Sequence, residues 1–154
     1  MAFGRRFRCL AVDNRGAGGS VGAPHPFSLE QMADDAVAVL DAEGIEQAHV
    51  MGASMGGAIA QIIAVRHPER VQSLVLACTG CRNPEWRREL LTEWAEAVDA
   101  RGMSALAGEG LRWLVGPRLQ RRFGVWLNLM ARIVLGGSPE SFVAQVEAIL
   151  AVDD

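Results

Sequence analysis

The serine in Gly52-Ala53-Ser54-Met55-Gly56 is the residue of this chain whose setting best suits chemistry. A serine hydroxyl becomes a nucleophile where a tight turn exposes it and a base accepts its proton. Small residues two positions before and two after let a strand and a helix approach closely around such a turn. Gly52 and Gly56 meet that need, and Gly57 widens the space. The Met55 N–H would then lie at a helix amino end, where unpaired donors and the helix dipole favour an anion. It is the candidate donor to the oxyanion of a tetrahedral intermediate, and losing one such donor typically costs ~10²–10³ in rate.

Other reactive side chains are few. The histidines are His25, His49 and His67, and only His67 follows Ser54. His67 stands beside Pro68 at an expected helix end, which the dipole favours. His49 falls within the strand leading to the serine, and His25 in a loop. Cys78-Thr79-Gly80-Cys81 is a C-x-x-C directly after an expected strand. It reads either as a redox pair or as two small residues at a strand end. A zinc site would need a second pair, so no metal is expected. All 15 basic residues are arginine. A Walker-type phosphate loop, Schiff-base chemistry and a Ser-Lys dyad each require the lysine that is missing. Gly16 to Gly22 lacks dinucleotide-loop spacing, because Val21 stands where the third glycine belongs. No cofactor is expected.

The elements around Ser54 follow from hydrophobic spacing. Phe7 to Val12 is an apolar run broken by Arg8 and reads as a strand, followed by a Gly- and Pro-rich loop over 13–27. Ser28 and Gln31 form a capping-box pattern, with Phe27 and Met32 placed as a hydrophobic staple. Leu29, Met32, Ala33, Ala36, Val37 and Leu40 make one helical face that Gly44 ends. Ala48 to Met51 reads as a strand, Met55 to Arg66 as a helix and Val71 to Ala77 as a third strand. That alternation predicts an α/β class with parallel pairing and a sheet covered on both faces. After Pro84 the spacing is helical only. One face carries Leu90, Trp94 and Val98, and another Leu111, Leu114 and Val115. A third carries Trp126, Leu129, Met130 and Ile133, and a fourth Phe142, Val146, Ile149 and Leu150. These stripes read as core packing, with Trp86, Trp94, Trp113 and Trp126 as candidates to line a substrate pocket.

At 154 residues and half hydrophobic, the chain can bury one core. A net charge of -3 argues against a nucleic-acid partner. No apolar run reaches membrane-span length, Met1 to Arg8 does not read as a signal peptide, and three cysteines fit a reducing compartment. A cytoplasmic protein with no membrane partner is expected.

Asp13-Asn14-Arg15-Gly16-Ala17-Gly18-Gly19-Ser20 resembles the D-x-R-G-x-G-x-S loop of α/β-hydrolase-fold enzymes. Met51-Gly52-Ala53-Ser54-Met55-Gly56-Gly57, Pro68-Glu69-Arg70-Val71 and Leu74-Val75-Leu76 resemble the rest of that family's central block. Arg101-Gly102-Met103, Leu111-Arg112-Trp113 and Ala148-Ile149-Leu150 with Asp153 resemble the lid of the 3-oxoadipate enol-lactonase group. The resemblance implies a partial α/β-hydrolase fold, with core residues 1–82 followed by a helical lid over 83–154. It implies cleavage of a small carboxylic ester or lactone through an acyl-enzyme on Ser54. Cofactor-free haloperoxidase and carbon–carbon bond hydrolase chemistry use a similar serine and stay open.

The family order is Ser, then Asp or Glu, then His. No acid-bearing strand or histidine loop follows here, and the family's oxyanion turn should precede Phe7, where only six residues stand. A truncated frame, half of a split hydrolase or a non-catalytic relic is therefore expected. Open sheet edges would favour self-association or a partner chain.

Overall fold

The computed structural model describes residues 3–20, 26–107, 116–134 and 138–152. Helix α1, Leu29–Ala42, starts as its sequence requires. The Ser28 hydroxyl accepts from the Gln31 N–H, and the Gln31 side chain accepts from the Ser28 N–H, so two end donors are satisfied reciprocally. Phe27 and Met32 are both buried in one cluster, as the staple anticipates. The helix stops at Gly44, whose φ of 64° suits glycine. Gly44 N–H donates to the Asp41 carbonyl and Ile45 N–H to that of Leu40, which closes the end as a Schellman turn.

Strand β1, Ala48–Ala53, runs directly into Ser54, and helix α2, Met55–Arg66, runs directly out of it. A short 3-10 turn over Pro68–Arg70 leads into strand β2, Val71–Ala77. The two strands pair in parallel, with Val50 opposite Leu74, Gly52 opposite Leu76 and Ala53 opposite Ala77. Parallel neighbours need a crossover, and α2 is that crossover. It is apolar around most of its girth, which suits a helix held between α1 on one side and the sheet on the other.

Arg70 ties the two αβ connections together. Its guanidinium donates to the carbonyls of Glu46 at 2.8 Å and Ile45 at 2.9 Å and pairs with Asp41 at 2.7 Å. The two carbonyls come from the connection after α1 and Asp41 from its last turn, so the residue just before β2 also fixes the entry to β1.

Two expectations are corrected here. Phe7–Val12 forms no strand; the segment is exposed and joins no ladder. Phe7 meets the His49 ring edge-on at 5.8 Å, and Arg8 pairs with Glu43. An apolar run expresses only a tendency to extend, and a strand exists once a neighbour takes its hydrogen bonds. Among the described residues the sheet is also covered on one face rather than both. Met51 and Val75, partners in the ladder, are 65% and 49% exposed.

The rest is helical. Helix α3 spans Glu85–Arg101, α4 Pro117–Val134 and α5 Pro139–Leu150. A 3-10 turn over Met103–Ala107 follows α3. Helix α5 enters the core: Ala144 and Ala148 join the cluster of Leu29, Met32, Val37, Ile59 and Ile63. Its last carbonyls are taken by side chains from the start of the α3 region, Asn83 to Ile149 at 2.8 Å and Arg88 to Leu150 at 3.3 Å. A cation at a helix carboxyl end also meets the dipole favourably. The expected helix bearing Leu111, Leu114 and Val115 lies outside the described residues.

Candidate active site

Ser54 occupies a conformation that only surrounding structure can hold. Its φ is 52° and its ψ −120°, a region that side chains rarely enter. Three contacts impose it. The Ser54 N–H donates to the Ala77 carbonyl at 2.9 Å, which carries the ladder one residue past β1. The Ser54 carbonyl accepts from Gly57 at 2.9 Å and from Ala58 at 3.2 Å, which starts α2. Gly52 lets the helix lie close behind: a Cβ there would stand 2.0 Å from the Gly56 carbonyl oxygen.

The glycine requirement falls elsewhere than the pentapeptide suggests. A Cβ on Gly56 would meet nothing within 4 Å, so that position is open. A Cβ on Gly57 would stand 2.5 Å from the Thr79 side chain. Gly52 and Gly57 are therefore the positions at which strand, helix and the segment after β2 meet. Gly56 matters through its backbone, which Gly52 must clear.

The Ser54 side chain makes no capping bond to its own helix. A serine at this position ordinarily spends its oxygen on the end donors. Here Ser54 is exposed and its hydroxyl stands clear of them. Met55 is the first residue of α2, so its N–H is one of the end donors without an intrahelical acceptor. The Ser54 hydroxyl and the Met55 N–H are thus adjacent on one turn.

The two described histidines are placed elsewhere. His67 lies at the far end of α2, about 18 Å along a twelve-residue helix. It contacts Asp34 at 3.2 Å, beside an Arg66–Asp34 pair at 3.3 Å. His49 lies five residues before Ser54, about 16 Å along an extended strand. Its Nδ1 is 2.8 Å from the Ser73 hydroxyl across the ladder. His25 lies outside the described residues. Of the four tryptophans, Trp86 and Trp126 are exposed and Trp94 is half-buried. Helix α3, which carries Trp86 and Trp94, packs chiefly against α5 and the turn after α3 rather than against α2. Trp113 lies outside the described residues. Among the described residues, no three His, Cys, Asp or Glu side chains gather as metal ligands would. None of their helices is long and apolar enough to cross a membrane.

The loop before α1 is closed on itself. Asp13 accepts from the Gly19 N–H at 2.8 Å, and Gly18, at φ 50°, leaves room for that carboxylate. Arg15 grips Asp35 with two bonds, at 2.5 and 2.9 Å, and this partner raises its pKa further above an already high value. Gly16, at φ 78°, admits the buried Ser141 of α5, and Gln145 donates to the Arg15 carbonyl at 2.9 Å. The D-x-R-G loop is thereby a joint between α1 and α5. Sequence reasoning recognised the loop but not this role, because the small-residue contact of Gly16 with Ser141 spans more than a hundred positions.

Such an elbow, together with such a loop, defines a class. Residues 2–129 match the alpha/beta hydrolase fold family, and the chain belongs to it. Over 155 aligned positions it is 26% identical to 3-oxoadipate enol-lactonase 2 of Acinetobacter baylyi, covering 98% of this chain and 56% of that protein. A crystal structure of the enol-lactonase from Burkholderia xenovorans superposes with a TM-score of 0.87 at 30% identity, over 99% of this chain and 58% of that one. A Caulobacter segnis protein provisionally named carbamate hydrolase RutD is 42% identical over 77 residues, 49% of this chain and 29% of its own length. The chain thus spans little more than half of the enol-lactonases and less of the third relative.

Proposed function

We propose that this chain carries the nucleophile and one oxyanion donor of a serine hydrolase acting on a small carboxylic ester or lactone. Ser54 Oγ attacks the carbonyl carbon, the Met55 N–H holds the oxygen as it becomes negative, and the acyl group passes to Ser54 before water releases it. The observation that carries the reading is Ser54 itself: strained, exposed and uncapped at the amino end of α2. The likeness to enol-lactonases runs through nearly the whole chain, whereas the likeness to the carbamate hydrolase stops at about half, which favours an ester or lactone over a carbamate. No nucleic-acid, membrane or cofactor partner belongs to this reading, and its compartment is the cytoplasm.

Neither described histidine, His49 or His67, is the proton acceptor. Both are held by other partners far from Ser54. Polypeptide outside this sequence, joined to it or separate, supplies the base and its acid. The chain by itself therefore turns over p-nitrophenyl esters slowly if at all.

The test uses a fluorophosphonate probe with imidazole added as a diffusible base. Labelling at Ser54 is expected to be slow alone, faster with imidazole and absent in Ser54→Ala, with the site read from peptide masses. A folded chain unlabelled even with imidazole would overturn the nucleophile assignment. Rapid labelling without imidazole would overturn the assignment of the base to other polypeptide.

A further inference from the structure

The described residues include two non-glycine positions at positive φ, and they are neighbours. Ser54 has φ 52° and Cys78 φ 51°. Each directly follows its strand, and the last strand residues, Ala53 and Ala77, are partners in the ladder. The Ala77 carbonyl, one peptide unit before Cys78, accepts the Ser54 N–H. The backbone that shapes the nucleophile is therefore bonded to the backbone that carries a cysteine.

The segment after Cys78 also presses on the same helix turn. Thr79 lies where a Cβ of Gly57 would be, and its hydroxyl is buried with no hydrogen-bond partner among the described residues. The Gln61 side chain donates to the Gly57 carbonyl at 3.2 Å and the Gly80 carbonyl at 3.3 Å, which pins the segment to α2. Cys81 follows at once, and Cys78 and Cys81 are both free and exposed. The two thiols thus flank a two-residue wedge seated behind the nucleophile.

We propose that Cys78 and Cys81 are a reversible disulfide site that controls the Ser54 elbow. The inference deepens the hydrolase reading and rests on it for its effect on reactivity. The oxidant is a low-molecular-weight disulfide such as glutathione disulfide. The Cys78 thiolate attacks one sulfur of that disulfide, its S–S bond breaks, and one glutathione thiolate leaves. Cys81 then attacks the Cys78 sulfur of the mixed disulfide and expels the second glutathione. The two protons given up by the cysteines end on the two glutathiones. The chain loses two electrons and two protons, and the glutathione disulfide takes up both to become two glutathiones.

Closing the bond requires the two Cβ atoms to come within about 3.5–4.5 Å. With Gly80 held by Gln61 and Thr79 wedged on Gly57, that motion draws on Cys78 and so on the Ala77 carbonyl. The bond from Ser54 N–H to Ala77 is the one it weakens. Loss of that bond loosens the turn, and the hydroxyl and the Met55 N–H no longer converge on one carbonyl.

The experiment treats the full chain in a Cys9→Ser background with glutathione disulfide, then with dithiothreitol. Peptide masses should show an internal Cys78–Cys81 bond. Hydrogen exchange at the Ser54 amide should quicken on oxidation and return on reduction. Imidazole-assisted fluorophosphonate labelling should fall about ten-fold or more in the oxidised form, as expected of a misplaced reacting group. Cys81→Ser should keep the reduced behaviour under both conditions. Separate glutathione adducts with no internal bond would overturn the inference, as would an internal bond that leaves Ser54 amide exchange unchanged. A reduced chain that never labels would instead defeat the hydrolase reading, and the exchange data would still decide the disulfide site.

Discussion

The two ends of helix α2 are built on opposite principles. At its carboxyl end polar groups are paired: His67 and Arg66 meet Asp34, and Arg70 beyond them satisfies two carbonyls and Asp41. At its amino end a serine sits at positive φ and leaves its hydroxyl uncapped, and one turn on Gly57 lies against Thr79, whose hydroxyl has no hydrogen-bond partner among the described residues. Strained conformations persist where neighbouring structure over-determines them. The arginine clamp, the α1 cap and the ladder hold the helix and the strands, and the elbow between them is forced to bend. The contrast separates paired residues that hold the fold from a turn kept strained by its surroundings.

The contrast can be broken most severely at Gly52. A Cβ there meets helix backbone rather than a movable side chain, so Gly52→Ala should cost about 3 kcal/mol or more, read by denaturant unfolding. Its counterpart in the pentapeptide should behave oppositely. Gly56→Ala enters open space in a helix and should gain about 0.5–1 kcal/mol. Equal losses at both positions would show that strand and helix meet differently from this structure.

The strain itself comes next. Glycine enters the Ser54 conformation without penalty, whereas alanine does not. Ser54→Gly should therefore be more stable than Ser54→Ala by about 1–2 kcal/mol. Both remove the hydroxyl, so stability alone separates them. Equal stabilities would mean that the elbow is relaxed.

The smallest effect sharpens the quiet side. Glu30, in the first turn of α1, is held below its ordinary pKa of 4.5 by the Ser28 hydroxyl and then by a backbone N–H. A depressed carboxylate contributes its stability above the unfolded value and loses it as pH falls through the folded one. The thermal midpoint should therefore drop slightly more in the wild type than in Glu30→Gln on acidification below pH 4.5. Because Glu30 is exposed, the difference should also shrink with added salt.

Local chemistry was legible where local chemistry decides. The capping box at Ser28, the stop at Gly44, helix Met55–Arg66 and strand Val71–Ala77 stand where hydrophobic spacing placed them. The Ser54 turn was legible because glycine spacing and an abrupt change of period coincide. Phe7–Val12 was misread because a strand needs a neighbour that its own residues do not specify. The division of labour between Gly56 and Gly57 was hidden, since it depends on where Thr79 falls after another strand. The same register places Cys78 beside Ser54, a pairing that no spacing along the chain encodes.

The most direct measurement is a crystal structure of the chain after fluorophosphonate treatment with imidazole. Phosphorus bonded to Ser54 Oγ, with its oxygen accepting from the Met55 N–H and Ser54 still at positive φ, is the expected result. An adduct on another residue, or a phosphonyl oxygen turned away from the start of α2, would contradict the assignment of nucleophile and oxyanion donor to one turn.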